Sequence, residues 1–153
     1  MRRRKRAAVD TNLLLLVMCA SLRRDPSRDG RLSRYGARDI PLIQQVLESF
    51  DGLVTTPNLI AEVTTMLKGY DEYMWLTELL STSCEVYIPN QALSRHEALP
   101  VFGITDLGFL SQEIDDCCVI TDDVKLGALL RAYEREVLVY SECREELLDR
   151  EDH

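Results

Sequence analysis

At 153 residues the chain has the length of one domain, long enough to bury a real core and too short for two ordinary ones. A hydrophobic content of 46% excludes a disordered or a membrane-embedded chain. The formal net charge of −8, from 26 acidic against 18 basic residues, argues against a nucleic-acid binder that works through surface charge alone, although a carboxylate site filled by divalent cations escapes that exclusion because the ions invert the local potential.

The first residues mimic a secretory leader. Met1-Arg2-Arg3-Arg4-Lys5-Arg6 precedes the apolar run Leu13-Leu14-Leu15-Leu16-Val17-Met18-Cys19-Ala20. Asp10-Thr11-Asn12 interrupts that run, and no small-residue cleavage site follows before Arg23-Arg24-Asp25, so a cytoplasmic chain is expected. The run is also far short of the roughly 20 residues a membrane span needs. Five cysteines, Cys19, Cys84, Cys117, Cys118 and Cys143, are odd in number and lack C-x-x-C spacing. With only His96 and His153 as nitrogen donors they read as reduced thiols, not as a zinc site.

In chain order, Ala7-Ala8-Val9 reads as a buried strand ending at Asp10. Leu13 to Leu22 is too continuously apolar for a surface helix and fits one packed on a sheet and covered on its other side. Residues 23–38, with Pro26, Gly30, Gly36 and scattered arginines, read as a loop. Asp39 is expected to cap a helix whose apolar positions are Ile40, Ile43, Val46, Leu47 and Phe50, with Pro41 in its first turn.

Leu53-Val54-Thr55-Thr56 reads as a second strand. Pro57-Asn58 opens a helix with Leu59, Ile60, Val63, Met66 and Leu67 inward, ended by Gly69. A further helix over 71–80 should bury Met74, Trp75, Leu79 and Leu80, and residues 85–88 fit either a strand or an extended connection. Residues 90–99 read as helical, with Pro100 and Gly103 marking the exit. Thr105 is expected to cap a helix from Asp106 to about Ile114. Cys117 to Ile120 is the cleanest buried strand of the second half, followed by a helix over 124–133, a strand over 136–140 and a charged, fraying helical tail over 141–153.

Short apolar strands alternating with helices predict a single three-layer α/β/α domain around a central, mainly parallel sheet. Ligands of such folds bind outside the carboxyl ends of the strands. Asp10 ends one putative strand, and Asp122-Asp123 follows another through Thr121, so both belong at that edge.

Four acidic motifs stand in order along the chain, Val9-Asp10-Thr11-Asn12, Pro57-Asn58-Leu59-Ile60-Ala61-Glu62, Gly103-Ile104-Thr105-Asp106 and Thr121-Asp122-Asp123. Their order resembles that of PIN-domain nucleases, a Rossmannoid family that includes the VapC-like toxin ribonucleases. PIN domains open with a strand ending in Asp, followed by Thr or Ser and often Asn, as in Val9-Asp10-Thr11-Asn12. A second acid, usually Glu, lies on a helix after the second strand, as in Thr56-Pro57-Asn58-Leu59-Ile60-Ala61-Glu62. A third begins a helix, as in Gly103-Ile104-Thr105-Asp106, and a Thr-x-Asp or Thr-x-Asn follows the next strand, as in Thr121-Asp122-Asp123. No single motif is specific; four in order, spanning most of the chain, carry the resemblance.

The resemblance implies an endoribonuclease leaving 5′-phosphate and 3′-hydroxyl ends, with catalytic carboxylates Asp10, Glu62, Asp106 and Asp123. Phosphodiester hydrolysis needs an activated water and a neutralised phosphorane, which Mg²⁺ or Mn²⁺ can provide. These hard cations select carboxylate oxygens, here Asp10, Glu62, Asp106 and Asp123 or its neighbour Asp122, of which one member is expected to be a ligand and the other solvated. Thr11, Asn12 and Thr121 are expected to orient carboxylates or waters. Without metal, at least one carboxyl of such a cluster should hold a proton near neutral pH. The resemblance further implies a homodimer and, for toxin members, a cognate antitoxin; an RNA-processing or phage-defence nuclease fits the same motifs, as does a PIN-like scaffold without activity.

Each acid also has a plain structural reading. Asp10 and Asp106 can cap helices, and Asp122-Asp123 can be a loop pair, whereas Glu62 between Ile60 and Val63 is expected to be partly buried. A haloacid-dehalogenase phosphatase needs an acid two residues after its nucleophile, where Asn12 stands, and a receiver domain needs paired acids near its first strand. Arg28, Arg31 and Arg34 read either as a solvated loop or as a phosphate-gripping flap on RNA, and the basic residues 1–6 either as a second RNA contact or as a disordered arm.

Overall fold

Three buried residues, Ala7–Val9, form β1 at the centre of a five-stranded, all-parallel sheet of order β3-β2-β1-β4-β5. The computed structural model describes residues 5–151. The other strands are β2 (Leu53–Thr55), β3 (Cys84–Glu85), β4 (Cys118–Thr121) and β5 (Val137–Val139). Ala8 lies opposite Val54 on one side and Val119 on the other. The helices that flank the sheet are α1 (Thr11–Ser21), α2 (Asp39–Glu48), α3 (Pro57–Met66), α4 (Tyr70–Thr82), α5 (Asn90–Leu93), α6 (Leu99–Gly108), α7 (Val124–Ala132) and α8 (Tyr140–Glu151). This is the expected three-layer, Rossmann-like α/β/α arrangement, and its doubly covered strands explain the continuous apolar runs of β1 and β4.

The order of strands fixes where a site can form. β1, β2 and β3 step outward in one direction, and the chain then returns past β1 to lay β4 and β5 on its other side. Right-handed crossovers consequently send the helices after β1 and β4 to opposite faces, opening a crevice between the carboxyl ends of those two strands. α1 is the packing hub on its face: Leu13, Leu14, Leu15, Leu16, Met18 and Cys19 are all buried, under α2 and α3 as well as the sheet. On the other side, α7 lies so close to β5 that a Cβ at Gly127 would stand 2.5 Å from Val139 Cγ2. That contact accounts for a glycine in the middle of a helix.

Several elements differ from the sequence-based expectation. α4 buries Trp75, Leu76 and Leu79, while Met74 and Leu80 are 49% and 39% exposed. The face is set by Glu72, buried one turn before Trp75 and Leu76 and held there by arginines. α6 runs from Leu99 to Gly108, not from Asp106 to Ile114, and is broken at Gly103 by a left-handed φ of 78° that favours glycine. Thr105 is thus inside the helix instead of capping it, and Gln112–Ile114 is a separate 3-10 turn. Asp39 is the first residue of α2, not its cap. It is fully buried, accepting from Gly36 N–H at 2.8 Å, Tyr140 hydroxyl at 2.7 Å and Arg144 Nε at 2.7 Å, so it ties α2 to the start of α8.

The 23–38 segment is built rather than loose. It contains 3-10 turns at Pro26–Arg28 and Gly30–Leu32 and buries Leu32 and Tyr35. Of the basic N-terminal run, residues 1–4 lie outside the described residues. Lys5 pairs with Glu136, and Arg6 stands 3.6 Å from Asp116. His153, at the end of the charged tail, also lies outside the described residues. Among the described residues no helix is long and apolar enough to cross a membrane.

Candidate active site at the carboxyl edge of the sheet

Asp10 leaves β1 at the crevice and turns the chain into α1. Its Oδ1 accepts from Leu13 N–H at 3.1 Å, the cap expected of a residue in that position. Its Oδ2 reaches across the crevice, accepting from the Thr121 hydroxyl at 2.5 Å and from Asp122 N–H at 3.0 Å. The two central strand ends are therefore joined through one carboxylate. Burial pushes the Asp10 carboxyl above its ordinary range, opposed by these hydrogen bonds and reinforced by the charge of Asp122.

Thr11, in the first turn of α1, donates its hydroxyl to Glu62 Oε1 at 3.0 Å, bringing α3 to the same edge. Glu62 is exposed and not partly buried as expected: Val63 alone of its neighbours turns inward fully, leaving Glu62 on the flank of α3. Asn12 is half-buried beside Thr11 in sequence. Asp106, half-buried in the short helical turn after Gly103, has its carboxyl pushed up to about 6 by burial and then by the charges of Asp123, Glu62 and Asp10. The four acids named from sequence thus reach one edge from four separate elements, and the carboxyl of Asp106 is the one raised to about 6.

The Asp122–Asp123 pair divides into one enclosed and one solvated member. Asp122, not its neighbour, is the enclosed member. Its Oδ2 accepts from the Tyr35 hydroxyl and faces Arg34 at 3.8 Å, and its Oδ1 accepts from Ser141 N–H at 3.1 Å. Both oxygens are thereby committed to holding the 23–38 segment and α8 against the crevice. Asp123 is exposed; its Oδ1 caps α7 through Lys125 and Leu126 N–H, and its charge is the largest one acting on Asp106. Thr121, fully buried, orients both sides: it donates to Asp10 and accepts from Asp123 N–H at 3.0 Å.

The three arginines named as RNA contacts separate. Arg34 alone reaches this edge, 64% exposed beside Asp122. Arg31 is enclosed by Asp29 and Glu72 near the far ends of α1 and α3, and Arg28 lines an open cleft there. α1 is 11 residues long, so the two edges stand roughly 16 Å apart. Of the two readings of this segment, a flap beside the carboxylates would rest on Arg34 alone.

Two contributors escaped the sequence reading. Tyr35 is buried in a loop otherwise rich in polar residues, and Leu32, three residues before it, was the only hint. Ser141 contributes only its backbone, which leaves no trace in sequence. Carboxylate oxygens suit a hard divalent cation, and among the described residues Glu62, Asp106 and Asp123 retain oxygens without protein donors. Among the described residues no three acidic, histidine or cysteine side chains already converge on one point, so ligation requires side-chain rotation. Comparison with protein-family models, with curated proteins and with solved structures returned no match.

Proposed function

We propose that the chain is a PIN-type, Mg²⁺- or Mn²⁺-dependent endoribonuclease. The observation that supports it is the gathering of Asp10, Glu62, Asp106 and Asp123 from four elements at the switch of strand order, with the Asp106 carboxyl raised to about 6 by burial and then by the charges of its three neighbours. Strand-then-helix alternation alone brings the caps Asp10 and Asp123 to this edge, but Glu62 and Asp106 stand inside α3 and α6, and repulsion among the four is a cost that a divalent cation removes. When bound, the cation supplies charge neutralisation at the phosphate and a water of lowered pKa.

The chain's own groups have distinct tasks in this reading. Thr121 holds Asp10 from one side while the α1 amide holds it from the other, fixing the carboxylate at the crevice. Thr11 fixes one oxygen of Glu62 and leaves the second open. Asp106, with its carboxyl raised to about 6, would offer oxygens to a bound cation together with Asp123 and Glu62. Arg34 lies where it can meet a substrate phosphate after leaving Asp122. The same reading extends to RNA as substrate, to a cytoplasmic homodimer and, where the protein acts as a toxin, to a cognate antitoxin.

A second reading has an observation of its own. Asp10 and Asp123 already serve as helix caps, which suits a PIN-like scaffold that binds without cleaving. Cleavage of a labelled RNA by the purified chain in Mn²⁺ separates the two. Activity abolished by EDTA, by Asp10→Asn and by Glu62→Gln is expected of the nuclease. Unchanged activity in those variants or in excess EDTA refutes the mechanism, and absence of cleavage with Mn²⁺-independent RNA binding favours the scaffold.

A further inference from the structure

At the opposite end of α1 from Asp10, the chain builds a second polar surface that the carboxylate site does not use. Its floor is Arg31, whose guanidinium donates to Asp29, Glu72 and the Met66 carbonyl at 2.6 to 3.0 Å. Glu72, 2% exposed, also accepts from Arg24 at 2.6 Å and from Lys68 N–H at 2.8 Å. Charge-assisted bonds of this number fix the floor. Above it opens a cleft of about 490 Å³ walled by Arg23, Arg24, Arg28 and Lys68.

The acids at this cleft do not cancel its cations. Asp29 is consumed by Arg31, and Asp25 turns back to cap its own 3-10 turn through Ser27 N–H and hydroxyl. Among the described residues Arg23, Arg28 and Lys68 have no ion-pair partner. The mouth is thus positive in a chain whose net charge is −8.

Immediately beside it, a groove of about 480 Å³ follows the end of α1 and the outer face of α4. Its rim carries Tyr70 and Met74, 77% and 49% exposed, together with the carboxylates of Glu78 and of Asp71, which lies 4.0 Å from Arg24, and Tyr73 is 45% exposed on the same helix. The two depressions meet where Leu22 adjoins Arg23 and where Lys68 precedes Tyr70 by one glycine. Cations that track a backbone next to a solvent-facing aromatic ring are the two elements a single-stranded nucleic acid engages, through its phosphates and its open base faces. A duplex hides those faces, and a sulfated polysaccharide has none.

We infer that this face binds single-stranded RNA, with Arg23, Arg28 and Lys68 on phosphates and Tyr70 stacked on a base. It adds an RNA contact roughly 16 Å from the carboxylates, by the length of α1, and it needs neither a cation nor the acidic cluster. The RNA specified rests on the ribonuclease reading; the binding surface stands without it.

The test is binding of a fluorescein-labelled oligouridylate of about twelve nucleotides to the full chain in EDTA, across a salt series. Combined Arg23→Ala, Arg28→Ala and Lys68→Ala should make the slope of log affinity against log salt shallower by about 2, three phosphate contacts at roughly 0.7 each. Tyr70→Ala should weaken binding about tenfold, and Tyr70→Phe should restore it. All the substituted side chains are exposed, and matching thermal melts establish that the variants fold. An unchanged salt slope, a Tyr70→Ala variant that binds like wild type, or duplex RNA or heparin bound as tightly as the single strand each overturns the inference. A parallel Mn²⁺ cleavage assay keeps the two claims apart. Cleft-dependent binding without cleavage sinks only the nuclease, and cleavage with cleft-independent binding sinks only this site.

Discussion

The Thr121 hydroxyl donates to Asp10 Oδ2 at 2.5 Å, joining the ends of β1 and β4 at the point where the strand order reverses. Both residues are buried, so the bond is made away from competing water. Thr121→Val keeps the shape and removes the donor, leaving that oxygen with only the Asp122 amide. The expected loss is about 1–3 kcal/mol in urea denaturation, together with a fall in Mn²⁺-dependent cleavage as Asp10 loses its orientation. Thr121→Ser should recover both. A Thr121→Val protein as active and as stable as wild type would show that the bond positions nothing.

Asp106 predicts how stability follows pH in the absence of metal. Its carboxyl is raised from 3.8 to about 6, so between those values the folded chain holds a proton that the unfolded chain has released. Stability must therefore fall as pH rises from about 4 to about 6, with the deficit remaining above. Asp106→Asn should remove this component and raise the metal-free melting temperature at pH 7.5. Mn²⁺ should raise the wild-type melting temperature more than that of the variant. Melts across pH, with EDTA or Mn²⁺, check both halves; a variant less stable than wild type in EDTA at pH 7.5 contradicts the repulsion.

Glu72 gives the opposite sign at lower pH. Arg31 above all, with the Lys68 amide and Arg24, holds its carboxyl down to about 2 from the ordinary 4.5. The stability it contributes is complete above about pH 4.5 and is lost as pH falls toward 2. A shift of that size is of the order of 3 kcal/mol. Glu72→Gln should lower stability at pH 7 and flatten the acid limb of the stability curve. It should also loosen Arg31 and the 3-10 turns over it, which hydrogen exchange at Arg31 and Leu32 amides would report. An acid limb identical in variant and wild type rules out Glu72 as its source.

Much of the plan was legible in the chain because local rules act over a few residues. The apolar runs ending at Asp10 and Thr121 are buried strands because helices cover both faces of a parallel sheet and favour apolar side chains along it. Pro57 and Gly103 sit where a helix starts and where one breaks because their backbone preferences are intrinsic. That Asp10 and Asp123 would end up at one sheet edge followed from strand-then-helix alternation alone.

Other features depend on contacts between distant positions, and no local pattern encodes them. Whether Met74 or Leu76 faces inward was decided by the burial of Glu72, which depends on Arg31, 41 residues away. Asp39 looks like a cap in sequence and is instead a fully buried anchor, because Tyr140 and Arg144 arrive from α8 with donors that a cap does not meet. Asp122 and Asp123 are indistinguishable as neighbours in sequence; Tyr35 and Ser141 enclose the first and leave the second facing Asp106. Arg28, Arg31 and Arg34 form one basic segment in sequence, yet the climb of that segment across the molecule delivers them to opposite ends of α1. A side chain's type and spacing state what it is able to do, whereas its partner and its water depend on which remote segment packs against it, and only the tertiary structure decides that.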